Sequence, residues 1–186
     1  MLEKLIEQYG YAAIYIGTLF EGEISLIVAG YLAHESLLNF WGVVFVGVLG
    51  AITGDNIWYF VAKKRGGKML TRTPRIQAKA EALSNHLRIN SPLMMFGSHF
   101  FIGFRSLIAI MIALKGVPQR QFALYNLLGS SVWALLVCCL GYLFGTQIEE
   151  FVGKLSLIEG VLIALTVMVV LVGLIRGIEA LWLKNS

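Results

Sequence analysis

The sequence predicts an all-α polytopic membrane protein, and its composition is the first support for that fold class. Of the 186 residues, 58% are hydrophobic and only 14% are charged, and the mean hydropathy is +0.76. A soluble domain has about 45–50% apolar and about 25% charged residues, and a chain of this size cannot bury so much apolar surface within itself. The apolar residues also form runs that are long enough to cross a bilayer.

The N-terminal part predicts a surface helix followed by an apolar segment that is broken in its middle. Residues 1–10 place apolar side chains at helical spacing beside a polar face, which predicts an interfacial amphipathic helix. Residues 11–33 could span a membrane, but Glu21-Gly22-Glu23 lies at their centre. A carboxylate facing lipid costs roughly 3 kcal/mol or more, whereas a protein-lined cavity tolerates irregular backbone. We therefore expect a re-entrant hairpin.

Residues 40–62 predict the first clear transmembrane helix. This stretch contains a single charge, Asp55, and its three glycines Gly47, Gly50 and Gly54 recur at helical spacing. Small residues in such a row allow close packing between membrane helices. Asp55 falls on a neighbouring face, so we expect it to point into the protein.

Residues 63–92 predict a basic cytoplasmic loop. Eight of the fifteen lysines and arginines lie between Lys63 and Arg88, and such clusters mark the cytoplasmic side of a membrane protein. Thr73-Pro74 is typical of a helix start, and the apolar stripe that follows predicts a helix on the membrane surface. Anionic lipid headgroups are the expected contacts of this loop, in preference to nucleic acid.

The second half repeats the order of the first. Residues 93–113 form an apolar segment that contains His99 and Arg105 beside glycines, which predicts a second broken segment. Residues 121–145 are uncharged and predict a transmembrane helix, and residues 155–175 predict a third. Paired broken segments in two halves indicate a transport site at the interface of an inverted repeat.

This organisation divides the chain into three parts and fixes a topology. The parts are an interfacial helix at 1–10, a membrane domain at 11–150, and a C-terminal transmembrane helix with a short tail at 151–186. With the basic loop in the cytoplasm, the C-terminus is also cytoplasmic, and the side of the N-terminus is left open.

Five ionisable residues at predicted membrane depth are the candidate site. An ionisable side chain within a membrane segment is a functional hypothesis by default, although such residues can also pair simply to hold helices together, and for Asp55 the two interpretations have equal support. A carboxylate in a low dielectric keeps its proton more readily, so we expect Glu21, Glu23 and Asp55 to handle protons. Arginine grips phosphate or carboxylate with two N–H groups, and histidine exchanges protons near neutral pH. Arg105 and His99 are therefore the expected substrate-binding residues.

Enzymatic chemistry is the rival hypothesis, and the sequence argues against it. Neither GxSxG nor HExxH occurs. Asp55 is the only aspartate in the chain, so a protease with two aspartates is impossible. His34, Glu35 and His99 lack the spacing of metal ligands. We therefore expect no enzyme, no metal and no cofactor.

Several motifs between residues 5 and 150 carry a family resemblance. They are the early Glu21, Gly54-Asp55-x-x-x-Tyr59, Lys63-Lys64-Arg65-Gly66-Gly67-Lys68, Phe100-Phe101-Ile102-Gly103-Phe104-Arg105, Gly129-x-x-x-Trp133, Gly141-Tyr142 and Gly145. With these motifs the chain resembles the bacterial DedA family, also called SNARE-associated or VTT-domain proteins. The resemblance implies two opposed re-entrant hairpins with acidic and arginine residues near their tips. It also implies transport that depends on the proton motive force and supports envelope homeostasis.

The chain departs from the family pattern at two places. His99 stands where the family often has arginine, and the proline-glycine-acid turn after the first glutamate is absent, so that His34 or Glu35 could replace its acid. Tyr59, Asn126 and Trp133 are further secondary candidates for the site.

The resemblance implies proton-coupled movement of an anionic lipid, such as undecaprenyl phosphate or a phospholipid, in a bacterial inner membrane. Related eukaryotic members act as scramblases. The alternatives are an antiporter that exchanges drugs or other small molecules for protons, and a membrane scaffold that transports nothing. The sequence is compatible with a homo-oligomer.

Overall fold

The computed structural model describes residues 2–20, 22–65, 91–101, 104–152 and 166, and those residues form helices and turns without a strand. The helices are α1 (Leu2–Phe20), α2 (Gly22–His34), α3 (Phe40–Arg65), α4 (Pro92–Gly97), a 3₁₀ helix (Ser98–Phe100), α5 (Arg105–Leu114) and α6 (Gln119–Val152). Two of them, over Phe40–Arg65 and Gln119–Gly145, are long and apolar enough to cross a membrane. The all-α class is confirmed, while the predicted span at 155–175 lies outside the described residues.

The predicted break in the first apolar segment is present. The stretch 1–10 and the residues after it form one helix, α1, which ends at Phe20, and α2 begins at Gly22. Gly17 of α1 lies against Ser25 of α2, and Gly10 lies against Leu38 just beyond α2. Contacts in this reversed order mean that α1 and α2 form an antiparallel helical hairpin. Its re-entrant placement in a membrane stays a prediction.

The chain divides into two compact units, which are described separately. The first comprises residues 1–51 and 131–173, and the second comprises residues 52–130 and 174–186. Because α3 and α6 are long, each of these helices contributes residues to both units. The basic loop, predicted at 63–92, lies outside the described residues except at its two ends.

Small residues set the helix packing of the first unit. Gly50 of α3 lies against Thr18 and the backbone of Tyr15 in α1, as the glycine row predicts. Gly30 of α2 lies against the backbone of Cys138 in α6 and leaves no room for a side chain there. Such close approach gains dispersion contacts, which drive helix association where no water is present. An apolar cavity of about 380 Å³ lies between α1 and α2.

The second unit contains the other broken segment. Ser91 caps α4 by accepting a hydrogen bond from the Met94 N–H, and Pro92 occupies the first turn, where its missing N–H costs nothing. After Gly97 the chain tightens into the 3₁₀ helix, and α5 begins only at Arg105. Apolar side chains from α3, α4, α5 and α6 form one buried cluster around these elements.

Tyr59 connects α3 to the turn before α6. Its ring is fully buried and stacks on Phe122, with centroids 4.9 Å apart and planes 9° from parallel. Its hydroxyl donates a hydrogen bond of 2.6 Å to the carbonyl of Val117. An unpaired carbonyl is costly away from water. The Tyr59 hydroxyl therefore supplies a hydrogen bond to a backbone carbonyl in the turn between two helices.

Candidate functional site

Three of the predicted site residues meet in the second unit. One oxygen of the Asp55 carboxylate lies 2.9 Å from Arg105 Nε, in an ion pair, and the other lies 3.1 Å from His99 Nε2. The side chains of Asp55 and His99 are 2% and 0% exposed, and that of Arg105 is 10% exposed. The acid thus joins a cation and a titratable ring in a buried cluster, which we call the Asp55 cluster.

Each member of the Asp55 cluster comes from a different element. Asp55 lies within α3, on the buried side that also carries Tyr59 one turn later. His99 lies in the 3₁₀ helix, and Arg105 is the first residue of α5. The break between α4 and α5 therefore brings His99 and Arg105 to one carboxylate, although they are six positions apart in the chain.

The N-terminus of α5 adds a second electrostatic feature to the cluster. The first N–H groups of a helix have no partner within it, and they carry partial positive charge. Phe104 precedes α5 and makes no side-chain cap. A guanidinium at this end is unfavourable by itself, whereas a carboxylate such as Asp55 is favourable. The end of α5 together with Arg105 is therefore suited to hold an anion.

Proton exchange is the other chemistry that the cluster allows. His99 Nδ1 lies 3.5 Å from the Ser98 hydroxyl, while its Nε2 faces Asp55. Histidine can carry a proton on either nitrogen or on both. A change of charge on His99 acts directly on the carboxylate that holds Arg105.

The first unit holds four other candidates among the described residues. Glu35 is half-buried just after α2. Glu23 lies in the first turn of α2 and is buried, at 9% exposed. Trp133 of α6 is also buried and lies against Gly22, so the indole covers the start of α2. The His34 ring makes an edge-to-face contact of 5.1 Å with Tyr142. Aromatic packing thus accounts for the position of His34.

The remaining candidates differ in whether their polar atoms have hydrogen-bond partners within the described part of the chain. The contacts of Tyr59 with Phe122 and Val117 are those of a packing residue. Asn126 is fully buried on α6, and neither its Oδ1 nor its Nδ2 has a hydrogen-bond partner within the described part of the chain. Glu21 lies outside the described residues, and among those described no group of His, Cys, Asp and Glu is suited to a metal ion.

The prediction from the sequence named these residues but left open whether Asp55 pairs with another charge. It assigned Asp55 to proton handling and Arg105 to the substrate, and the structure joins the two in one ion pair. A usable signal was present, because ionised groups at membrane depth tend to pair. Asp55 is the one charge of the predicted span 40–62, and Arg105 is the one formal charge of the segment 93–113.

Comparison with known proteins places residues 20–143 in one family. The VTT domain model matches residues 20–143. The inner membrane protein YohD of Escherichia coli is 36% identical over 155 residues, which cover 83% of this chain and 81% of YohD. No solved structure matches the chain.

Two more distant relatives carry names that suggest a function. Undecaprenyl phosphate transporter A of Bacillus subtilis is 24% identical over 76% of this chain and 75% of its own length. A Lactococcus lactis protein named alkaline phosphatase-like protein is 24% identical over 87% of this chain and 83% of its own length.

Proposed function

Because the chain belongs to the VTT-domain family of DedA-type membrane proteins, we propose that it moves an anionic lipid between the leaflets of the bacterial inner membrane. The proposed substrates are undecaprenyl phosphate or a phospholipid, the driving force is the proton motive force, and the role is envelope homeostasis. The observation that carries the proposal is the buried Asp55 cluster. The name of the Bacillus subtilis relative supports the choice of substrate.

The Asp55 cluster suits an anionic headgroup that competes with a carboxylate. Asp55 and a phosphate seek the same donors, namely the Arg105 guanidinium and the N-terminal N–H groups of α5. A headgroup that displaces Asp55 therefore keeps Arg105 paired and frees the carboxylate. The cluster has two arrangements of similar chemistry, which is what a carrier that binds and releases its substrate requires.

Charge balance supplies the coupling to protons. With Asp55 ionised and Arg105 charged, the pair has no net charge. A phosphate monoester brings about −1.5 to −2 at pH 7, and excess charge in a buried site is costly. Proton uptake by His99 or by Asp55 offsets that charge, so substrate binding and proton binding favour each other. Glu21 and Glu23 are the further proposed proton carriers.

Reconstitution in liposomes tests the proposed function. Labelled undecaprenyl phosphate and a labelled phospholipid are followed between leaflets with and without a pH gradient. We expect the wild type to move one of these lipids, and to move it faster with the gradient. Arg105→Gln should lower that rate at least about tenfold, because a charge-assisted hydrogen bond of about 1.5–3 kcal/mol is lost.

A matched control separates the site from charge in general. Lys115 is an exposed cation directly after the same helix α5, so Lys115→Gln removes an equal charge outside the Asp55 cluster and should move lipid at the wild-type rate. His99→Gln should keep lipid movement but respond less to the gradient.

Three outcomes would contradict the proposal. Absence of movement of either lipid by the wild type would favour the antiporter or the scaffold. Equal loss in Lys115→Gln and Arg105→Gln would remove the special role of the cluster. Release of inorganic phosphate from the lipid would indicate a phosphatase, as the name of the Lactococcus lactis relative suggests.

A further inference from the structure

A buried amide in the second unit has no hydrogen-bond partner among the residues that the structure describes. Asn126 is 0% exposed, and within the described part of the chain neither atom of its amide has a partner. Nearly all buried polar side chains are hydrogen-bonded, and an exception calls for a functional explanation. The cost is high in a membrane protein, because the surrounding lipid offers no hydrogen bonds.

The neighbours of Asn126 on α6 show what lies near it, and the first of them contacts the helix that carries Asp55. Phe122 lies one helical turn before Asn126 on the same face of α6 and stacks on Tyr59. Tyr59 lies one helical turn after Asp55 on α3. This face of α6 is therefore packed against the part of α3 that carries the site carboxylate.

A second neighbour of Asn126 on α6 contacts the segment that carries His99. Gly129 lies three residues after Asn126, and the backbone of Phe96 lies so close to it that a side chain would not fit. Phe96 precedes His99 by three residues, in the short stretch where α4 becomes the 3₁₀ helix. Asn126 is thus flanked on α6 by contacts to both chain segments that form the Asp55 cluster.

We propose that Asn126 is a further headgroup-binding residue, whose amide N–H groups donate to an oxygen of the phosphate that Arg105 holds. The inference rests on the proposed function and names a specificity residue for it. A primary amide offers two donors and no charge. It can therefore recognise a phosphate oxygen without adding to the charge that the site has to balance.

Ser130 provides a matched comparison on the same helix. It is fully buried one turn after Asn126, but its hydroxyl donates to the Leu127 carbonyl at 3.1 Å. A buried polar group on this face of α6 is thus satisfied within its own helix. Ser130→Ala removes a hydroxyl that already has a partner, and it should leave substrate binding unchanged.

Substitution of Asn126 separates a binding role from a purely structural one. Asn126→Leu keeps the approximate size but removes an unsatisfied polar group, so the purified protein should unfold at the same or a higher temperature. In detergent, with farnesyl phosphate as the probe, we expect the dissociation constant of Asn126→Leu to rise about tenfold or more. Asn126→Asp keeps the shape and should also bind more weakly, because a carboxylate repels the anion.

The outcomes of this experiment are distinct. If wild type binds farnesyl phosphate and Asn126→Leu binds it within twofold, the inference is wrong and the proposed function stands. If Asn126→Leu does not fold, the affinity of Asn126→Asp for farnesyl phosphate is compared with that of wild type instead. Binding within twofold again means that the inference is wrong. If wild type does not bind the probe, this inference fails together with undecaprenyl phosphate as the proposed substrate, while movement of a phospholipid is decided by the liposome experiment.

Inorganic phosphate gives the last arm of the test, because a free anion and a lipid headgroup present the same oxygens. Displacement of farnesyl phosphate by millimolar inorganic phosphate from wild type, with weaker displacement from Asn126→Leu, would assign the amide to the phosphate group. Equal displacement from both proteins would overturn that assignment.

Discussion

At the scale of single residues, the central feature is a buried carboxylate that contacts two other ionisable side chains. Asp55 is 1% exposed and contacts both Arg105 and His99. Removal of one member of a buried ion pair leaves an uncompensated charge, and that is far more costly than removal of both. The cluster therefore links the stability of the second unit to the charges that the proposed transport uses.

A double-mutant cycle measures that link. Asp55→Leu and Arg105→Met should each destabilise the protein by about 3–5 kcal/mol, because each leaves the other charge buried without its partner. The double variant should recover most of that loss, since two apolar side chains replace the pair. Thermal unfolding in detergent gives the four stabilities of the cycle. If the two single losses simply add in the double variant, the ion pair does not contribute to stability as described.

The sequence could predict the members of the Asp55 cluster, but not which of them contact one another. Isolated charges in apolar segments identify Asp55, His99 and Arg105, because each is costly in lipid. Which charges meet depends on where the second apolar segment breaks and on how α3 packs beside it. The spacing of apolar residues along the chain does not predict these long-range contacts. Asn126 shows the same limit: its place on a helix face was predictable, whereas its lack of hydrogen-bond partners among the described residues was not.

At the scale of elements, short broken helices supply the chemistry and long helices hold them. His99 and Arg105 lie in the 3₁₀ helix and at the start of α5, whereas Asp55 is carried by α3. A continuous helix through residues 92–114 would place His99 and Arg105 on different faces, because six residues correspond to about 600° of rotation. The break therefore allows both side chains to reach one carboxylate.

Two helical glycines of the second unit test how tightly α6 holds the broken segment. A Cβ at Gly129 would collide with the backbone of Phe96, whereas a Cβ at Gly97 would meet nothing within 4 Å. Gly129→Ala should therefore lower the melting temperature and reduce lipid movement, because backbone has to shift. Gly97→Ala should be neutral or stabilise the protein by up to about 1 kcal/mol, as alanine favours the helix. Equal effects of the two substitutions would contradict this packing.

The elements were more predictable than the site. The spans at 40–62 and 121–145 correspond to α3 and α6, because long apolar runs have few alternatives in a membrane protein. The break beside Gly22 was also predictable, since a charged pair around a glycine disfavours a continuous span. The continuation of the helix from the stretch 1–10 into the residues after it was not predictable. No proline or capping residue marks whether the helix ends or continues there.

At the scale of the whole molecule, orientation in the membrane decides from which compartment the proposed transport would take its proton and its lipid. The 26 residues of α3 correspond to about 39 Å of helix, which is enough to cross the hydrocarbon core. Exposed Lys63, Lys64 and Arg65 lie at its end. Positive charge at one end of a span favours the cytoplasmic side, so the opposite end of α3 is expected to face the periplasm.

Cysteine labelling tests this orientation. With both native cysteines replaced by alanine, Lys64→Cys should react with a membrane-impermeant maleimide only when the cytoplasmic face is accessible. Ser36→Cys, in the exposed turn before α3, should react only from the periplasmic face. Both substitutions replace exposed residues, so each variant should fold as the wild type does. Labelling of both positions from the same side would show that α3 does not cross the membrane.

The ion pair between Asp55 and Arg105 also has an electrical consequence. Moving one elementary charge through a membrane potential of 100 mV involves about 2.3 kcal/mol, but two opposite charges joined at 2.9 Å move together with almost no electrical work. In the proposed transport, a change in the side to which the paired cluster opens is therefore nearly insensitive to voltage. The membrane potential would act instead on the step in which a headgroup and its accompanying protons leave a net charge in the site.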